Sequence, residues 1–432
     1  MSRRINLFLG KLVLLGFGLA INFAMNIGAF ADTLNVKAEP GALAKAIANA
    51  TPGIVLKLEA GIHAGPILID KSITLTGTKG TIIDGKGLGT VIKITAEDVT
   101  IRGLKIISSG DNLPEKHSGI FVNKTAHRAI IEDNFLENNL ISVYLWGADD
   151  VMVRNNKIYG RQDLRVNERG NGVQLWKSDG SLVIGNEIKY GRDGLFAMTT
   201  KNNIFRDNVI EDTRFAVHYM YANNSILEGN ISRNNHVGYA LMFSSDMKVI
   251  GNLSLGDRDQ GIAMNYANQS KFIANQVIST EDKCVFIYNS NKNQFRRNLF
   301  KDCSIGVHFT AGSERNVISE NAFIANQTQV KYVGTRNLDW ADAGRGNYWS
   351  DNPAFDLDGN GLADAVYRPN DMVDRVVWAY PMSKLLLNSP AIQVLRWAQS
   401  TFPAIAPGGV YDSAPLMHPV IQAVIEEVKL NG

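Results

Sequence analysis

A chain of 432 residues, 45% hydrophobic and 20% charged, is ordinary globular material, long enough for one large core or two modest domains. Its formal charge of +2 becomes −1 once the three cations of an N-terminal targeting segment, Arg3, Arg4 and Lys11, are set aside, and no basic block remains. That balance excludes the usual electrostatic footprint of a nucleic-acid binder.

The three cations precede an apolar run over residues 12–25, and Ala29, Phe30 and Ala31 form a cleavage site before Asp32. Residues 1–31 are expected to be a cleaved signal peptide, since Asn22 and Asn26 interrupt the run and disfavour a permanent anchor. No later stretch is long and apolar enough to span a bilayer. An N-terminal cap follows over residues 32–53, with a short amphipathic helix predicted for residues 40–50.

The next stretch is self-similar. An asparagine in V-x-x-N-x-I-type strings recurs at Asn134, Asn156, Asn186, Asn208, Asn230, Asn252, Asn275, Asn298 and Asn321, with spacings of 22, 30, 22, 22, 22, 23, 23 and 23. Gly77 and Gly103 fill the same slot upstream, and Asn347 fills it downstream. A period this short with β-rich strings is too small for a helical hairpin and lacks the L-x-x-L-x-L pattern of leucine-rich repeats. It suits one coil of a parallel β-helix, with eleven or twelve coils over residues 54–333. The asparagines are expected to tolerate left-handed turns or to hydrogen-bond up a ladder.

A second column fixes the register. Eight or nine residues after most markers comes a small residue, then alternating apolar positions, as in Gly172-Val173-Gln174-Leu175 and Gly238-Tyr239-Ala240-Leu241. Period-two alternation sends the first and third residues after the small one inward, and the second and fourth outward. Two coils are longer by eight residues at one corner, at residues 110–117 and 161–169, and these loops would wall the adjacent face. Beyond 333 the pattern ends. Residues 334–380 read as a loop-rich cap. Residues 381–432 read as a helical, Pro-rich extension for partner docking, with a helix interrupted at Pro390.

Read coil by coil, the first outward column is Phe121, Tyr144, Gln174, Phe196, His218, Ala240, Ala263, Phe286 and His308; the second is Asn123, Trp146, Trp176, Met198, Met220, Met242, Asn265, Tyr288 and Thr310. Neither holds a carboxylate. Met198, Met220 and Met242 fall in successive coils about 5 Å apart, with His218 about 7 Å from Met220 along its strand. Thioether with imidazole is a donor set that selects soft Cu(I) over Mg²⁺ or Ca²⁺. His236 is a further candidate ligand at the adjoining corner, and His117 could approach from the first inserted loop. Packing beneath a loop or partner is the competing explanation of the same methionines. Tyr144, Trp146, Trp176, Phe196, Phe286 and Tyr288 compose an apolar outer patch, expected to dock a partner.

Weaker signals complete the reading. Residues 80–87 resemble a phosphate loop, but Gly87 stands where Ser or Thr is required. Asp356, Asp358, Asn360 and Asp364 match the start of a calcium loop, but the twelfth position is Tyr367 rather than an acid, so Ca²⁺ competes with an acid-rich turn. Cys284 and Cys303 lie 19 apart, short of the repeat, so they need not face each other; export would allow a disulfide between them, which the sequence leaves open, and two buried thiols are favoured over a soft-metal pair.

H-Y-M-Y at 218–221, G-Y-A-L-M-F-S at 238–244, G-I-A-M-N-Y-A-N at 261–268, G-N-Y-W-S-D at 346–351 and G-G-V-Y-D-S-A-P-L-M at 408–417 are similar to the NosD family, periplasmic maturation factors for the copper sites of nitrous oxide reductase. The resemblance implies a right-handed parallel β-helix, a periplasmic location and no catalysis of its own. It also implies an ABC-type ATPase with its membrane subunit, a copper chaperone and the reductase as partners, with membrane contact only through a partner. His218, Met220 and Met242 fall inside the matching motifs. The alternatives are a carbohydrate-active β-helix enzyme, a lyase or epimerase, and a metal-free scaffold. The first would need the paired carboxylates that both columns lack.

Overall fold

A computed structural model of the chain describes residues 32–387, 389–401 and 408–420. The expected signal peptide, residues 402–407 and the tail from 421 lie outside the described residues. Three sheets of thirteen, twelve and thirteen strands run the length of a parallel β-helix, each winding adding one short strand to each sheet. The windings exceed the eleven or twelve expected, because strands counted as caps pair in the ladders. Thr33–Val36 pairs with Val55–Leu58, and Tyr348–Trp349 pairs with Ala322–Ile324. Helix α1 (Ala42–Asn49) covers the first winding with Leu43, Ala46 and Ile47, shielding apolar edges that have no neighbouring winding.

Alternation within each strand builds the core. Val173, Leu195, Val217, Tyr239, Ile262 and Val285 stack inward in register and are essentially inaccessible. Each such side chain contributes about 1.5–3 kcal/mol by leaving water. The marker asparagines also face inward. Asn208 donates from its backbone N and its Nδ2 to Asn230 Oδ1 at 3.1 and 2.9 Å. Asn230 Nδ2 in turn donates to Asn252 Oδ1 at 2.9 Å and to Phe205 O at 2.8 Å. The same pattern continues through Asn275, Asn298 and Asn321 to Asn347. The left-handed turn residue is not the marker but its predecessor: Asp133, Asn155, Asp207, Arg297 and Glu320 all have φ between 54° and 60°. The marker's amide is thereby left free to bridge windings.

The C-terminal region departs from expectation. Residues 334–380 include helix α2 (Met372–Ala379), and helix α3 (Pro390–Thr401) begins at Pro390, where the ring suits a first turn. The chain then returns to the solenoid. Val410–Tyr411 pairs with Leu338–Asp339. Buried Asp412 accepts from Asn347 N at 2.7 Å and Trp349 Nε1 at 2.8 Å, closing the asparagine ladder. Residues 408–417 are thus part of the rod's end; α2 is tied to it by Arg375, which donates to Gly334 O and Gly408 O, and α3 is joined to the start of α2 by Arg396 and Asp371. No helix among the described residues is long and apolar enough to cross a membrane.

Cys284 and Cys303 form a disulfide, with Cα atoms 5.7 Å apart, the outcome the spacing had left open. Cys284 fills the small-residue slot of one winding, level with Gly306 of the next. Cys303 stands three residues before Gly306, at the corner entering that next winding. The two occupy different columns, so their separation need not equal the repeat.

Candidate metal centre

The outer face of the twelve-stranded sheet holds the predicted columns in register. Trp146, Trp176, Met198, Met220, Met242, Asn265 and Tyr288 are successive partners. So are Gln174, Phe196, His218, Ala240, Ala263, Phe286 and His308. The three methionines are half-buried, and Met242 packs against a small outer cluster of Val237, Ala240 and Ala263.

His218 is the most constrained member of the strip. It is 6% exposed. Its ring lies 4.9 Å from Phe196 at 47° and 4.9 Å from Phe215 at 89°. Its Nδ1 is 3.0 Å from Asp193 Oδ2, while its Nε2 is buried and has no hydrogen-bond partner. Asp193, 2% exposed, is gripped at both oxygens by Arg214, Nε to Oδ1 at 2.8 Å and Nη2 to Oδ2 at 2.7 Å. Burial pushes the Asp193 carboxyl up, but the bonds from His218 and Arg214 outweigh it and hold the group below the ordinary carboxylate range.

Asp193 was not foreseen, because strict alternation outward from Gly194 places it inside. The strand slips phase at the small residue. Asp193 aligns with Phe215 and Leu195 with Val217, giving a third outward column that continues into Val237. His308, further along the first column, also has a buried Nδ1 without a partner. Its pKa is pushed down to about 4, by burial first and then by Lys331 and Lys283.

The remaining predicted residues are dispersed. His236 is half-exposed and turns its Nε2 toward Asp259 Oδ2, 4.0 Å away. His117 is held inside its own loop by Asn112 N and Glu115. Tyr144 is 3% exposed beneath Phe121, so it supports the patch instead of presenting a docking surface. Trp146 and Trp176 stack at 5.7 Å and 9°, flanked by Lys116 and Lys177. Phe196 packs on the His218 ring, and Phe286 is half-buried beside 40%-exposed Tyr288. Further exposed aromatics stand at the next corner, where Tyr221, Phe243 and Tyr266 stack at 5.0 and 5.2 Å.

The acidic loop 356–364 turns its side chains onto its own backbone: Asp356 accepts from the N–H groups of Gly359 and Gly361, and Asp364 from that of Leu357. Among the described residues no three His, Cys, Asp or Glu side chains converge as a metal set. A metal on the strip would therefore be held by thioethers with His218. Orphaned, buried Nε2 suits that role, being a lone pair or a donor that nothing in the protein uses.

Comparison with known proteins follows the same residues. A family model described as periplasmic copper-binding protein (NosD) matches residues 154–354, a span that contains Met198, His218, Met220 and Met242. A probable ABC transporter binding protein NosD of Pseudomonas aeruginosa is 40% identical over 373 residues, covering 83% of this chain and 87% of that protein. The chain belongs to the NosD family. A protein of the same description from Stutzerimonas stutzeri is 41% identical over 375 residues, covering 84% and 86%. Among solved structures, the A-module of mannuronan C-5 epimerase AlgE6 of Azotobacter vinelandii superposes with a TM-score of 0.56 at 14% identity, over 67% of this chain and 89% of that one. That likeness shows the β-helix and nothing of function. Membership in a copper-binding family makes copper the metal against which the strip is to be tested.

Proposed function

We propose that this NosD-family protein is a non-catalytic periplasmic accessory factor that handles Cu(I) on the His218–Met220–Met242 strip, with Met198 alongside, during assembly of the copper centres of nitrous oxide reductase. The observation that carries the reading is the buried, unpartnered Nε2 of His218, two residues along its strand from Met220 in the register-aligned row Met198, Met220 and Met242. Thioethers are neutral, do not titrate and cannot form disulfides in an oxidising compartment, so they offer weak, exchangeable coordination of a soft monovalent ion. That suits a carrier that must also release its metal. Related proteins named as ABC transporter binding proteins support an ABC-type ATPase and membrane subunit as partners. The connection between α2 and α3, which exposes Tyr380, Met382 and Leu385, is suited to that contact. The half-buried Trp146–Trp176 stack and exposed Tyr288 offer a second surface, suited to a copper chaperone or the reductase.

Anaerobic Cu(I) titration against a chromophoric chelator tests the site. The triple variant His218→Gln, Met220→Leu, Met242→Leu is expected to lose tight binding while keeping the fold. Unaltered affinity in that variant would remove the site.

A further inference from the structure

We propose that Asp193 is the positioning residue of this metal site: it fixes the tautomer of His218 so that Nε2 carries the lone pair. The proposal rests on the copper reading above. A carboxylate holding one imidazole nitrogen while the other meets a metal is a recurrent way of orienting the ring and raising its basicity. Here the carboxylate side of that arrangement is fully built. Arg214 donates to both Asp193 oxygens, the geometry of a carboxylate that accepts, so the 3.0 Å contact places the proton on His218 Nδ1. A free neutral imidazole favours its proton on Nε2. Asp193 reverses that preference, and a reversed tautomer needs a use for the nitrogen it exposes. No protein group provides one, since Nε2 is buried without a partner.

The neighbours make the arrangement rigid. Phe196 and Phe215 flank the ring at 4.9 Å each. Arg214 holds both Asp193 oxygens and lies 4.4 Å from the Phe215 ring. The guanidinium also balances the carboxylate charge, so the site offers a metal one imidazole and thioethers with no net negative charge. A monovalent ion is favoured there over a divalent one, which would need anionic ligands.

The test compares Cu(I) affinity, measured against a chromophoric chelator under anaerobic conditions, for the full chain and its His218→Gln, Asp193→Ala and Asp193→Asn variants. A ring-nitrogen NMR measurement of the metal-free wild type, assigned by comparison with His218→Gln, runs beside it. Expected results are a loss of about 10- to 100-fold in Asp193→Ala, a smaller loss in Asp193→Asn, whose carbonyl still accepts from Nδ1, and a wild-type His218 protonated at Nδ1. If His218→Gln weakens binding but Asp193→Ala stays within about twofold of wild type, Asp193 does not act through the ring and the proposal is overturned. Protonation at Nε2 in the metal-free wild type overturns it equally, and decides the matter if Asp193→Ala does not fold. If His218→Gln itself binds like wild type, the copper reading falls first and Asp193 loses its role with it.

Discussion

Two columns rise through the same windings, one of asparagines facing the core and one, mostly apolar around His218, facing outward. In the core column, Asn208, Asn230 and Asn252 are each buried, and each amide oxygen and nitrogen meets a backbone or neighbouring amide group within 3.1 Å. In the outward column His218 is nearly as buried, but one of its two nitrogens meets nothing. A buried polar group costs free energy unless it is paired, so the first column explains itself as structure and the second does not. The contrast separates residues that hold the rod together from residues the rod holds in place.

The largest expected effect comes from breaking the core column. Asn230→Ala removes the acceptor of Asn208 N and Nδ2 and the donor to Phe205 O and Asn252 Oδ1. With several buried groups orphaned in a low-dielectric interior, the cost is about 3–5 kcal/mol, read as a lowered thermal or urea midpoint. The folded fraction should still bind Cu(I) like wild type, because the asparagine lies behind the sheet that carries the strip. Equal midpoints for Asn230→Ala and wild type would show that the ladder is incidental to stability.

A second, smaller effect sharpens the comparison at an imperfect rung. Asp257 stands at a corner of the core, fully buried, accepting from Ser232 Oγ at 2.7 Å, Ser254 Oγ at 2.6 Å and Asn235 N at 2.9 Å. Burial pushes its pKa up to about 6, against the hydrogen bonds that lower it. The folded state therefore keeps this proton through a range in which the unfolded chain has already lost it. Stability from this group falls as pH rises from about 4 to about 6 and is level above that. Asp257→Asn, which keeps an acceptor and has no charge to bury, should raise stability at neutral pH by about 1–3 kcal/mol and flatten the acid-side slope. A variant with the wild-type slope would assign the pH dependence elsewhere.

The solenoid and the outward columns were legible because both depend only on counting. A 22- or 23-residue winding puts equivalent slots one above another, and Trp176, Met198, Met220 and Met242 pair as the count requires. What counting could not reach depends on local slips or long-range returns. Asp193 faces His218 because the strand changes phase at Gly194. The Cys284–Cys303 bond joins different slots of neighbouring windings, so a spacing shorter than the repeat was compatible with it. Asp412 meets Asn347 across 65 residues, with no periodic signal to announce it. Tyr144 was correctly placed outward by period but is covered by Phe121, and burial by a neighbour is invisible to periodicity.

The smallest expected change in stability is the most telling for function. Met220 and Met242 are half-buried on the outer face, and Leu has similar volume, so Met220→Leu and Met242→Leu should each shift stability by under about 1.5 kcal/mol. If the methionines only pack, nothing else changes, since an aliphatic side chain fills the same space. If they are ligands, Cu(I) affinity drops in each variant and drops further in the double variant, because leucine keeps the packing and deletes the sulfur. The pair of readouts therefore runs opposite to Asn230→Ala, which should lower stability and spare binding. Should both leucine variants keep wild-type affinity for Cu(I), the thioether row would be reassigned to packing, and the orphaned nitrogen of His218 would have to find its partner among the proteins that dock on this face.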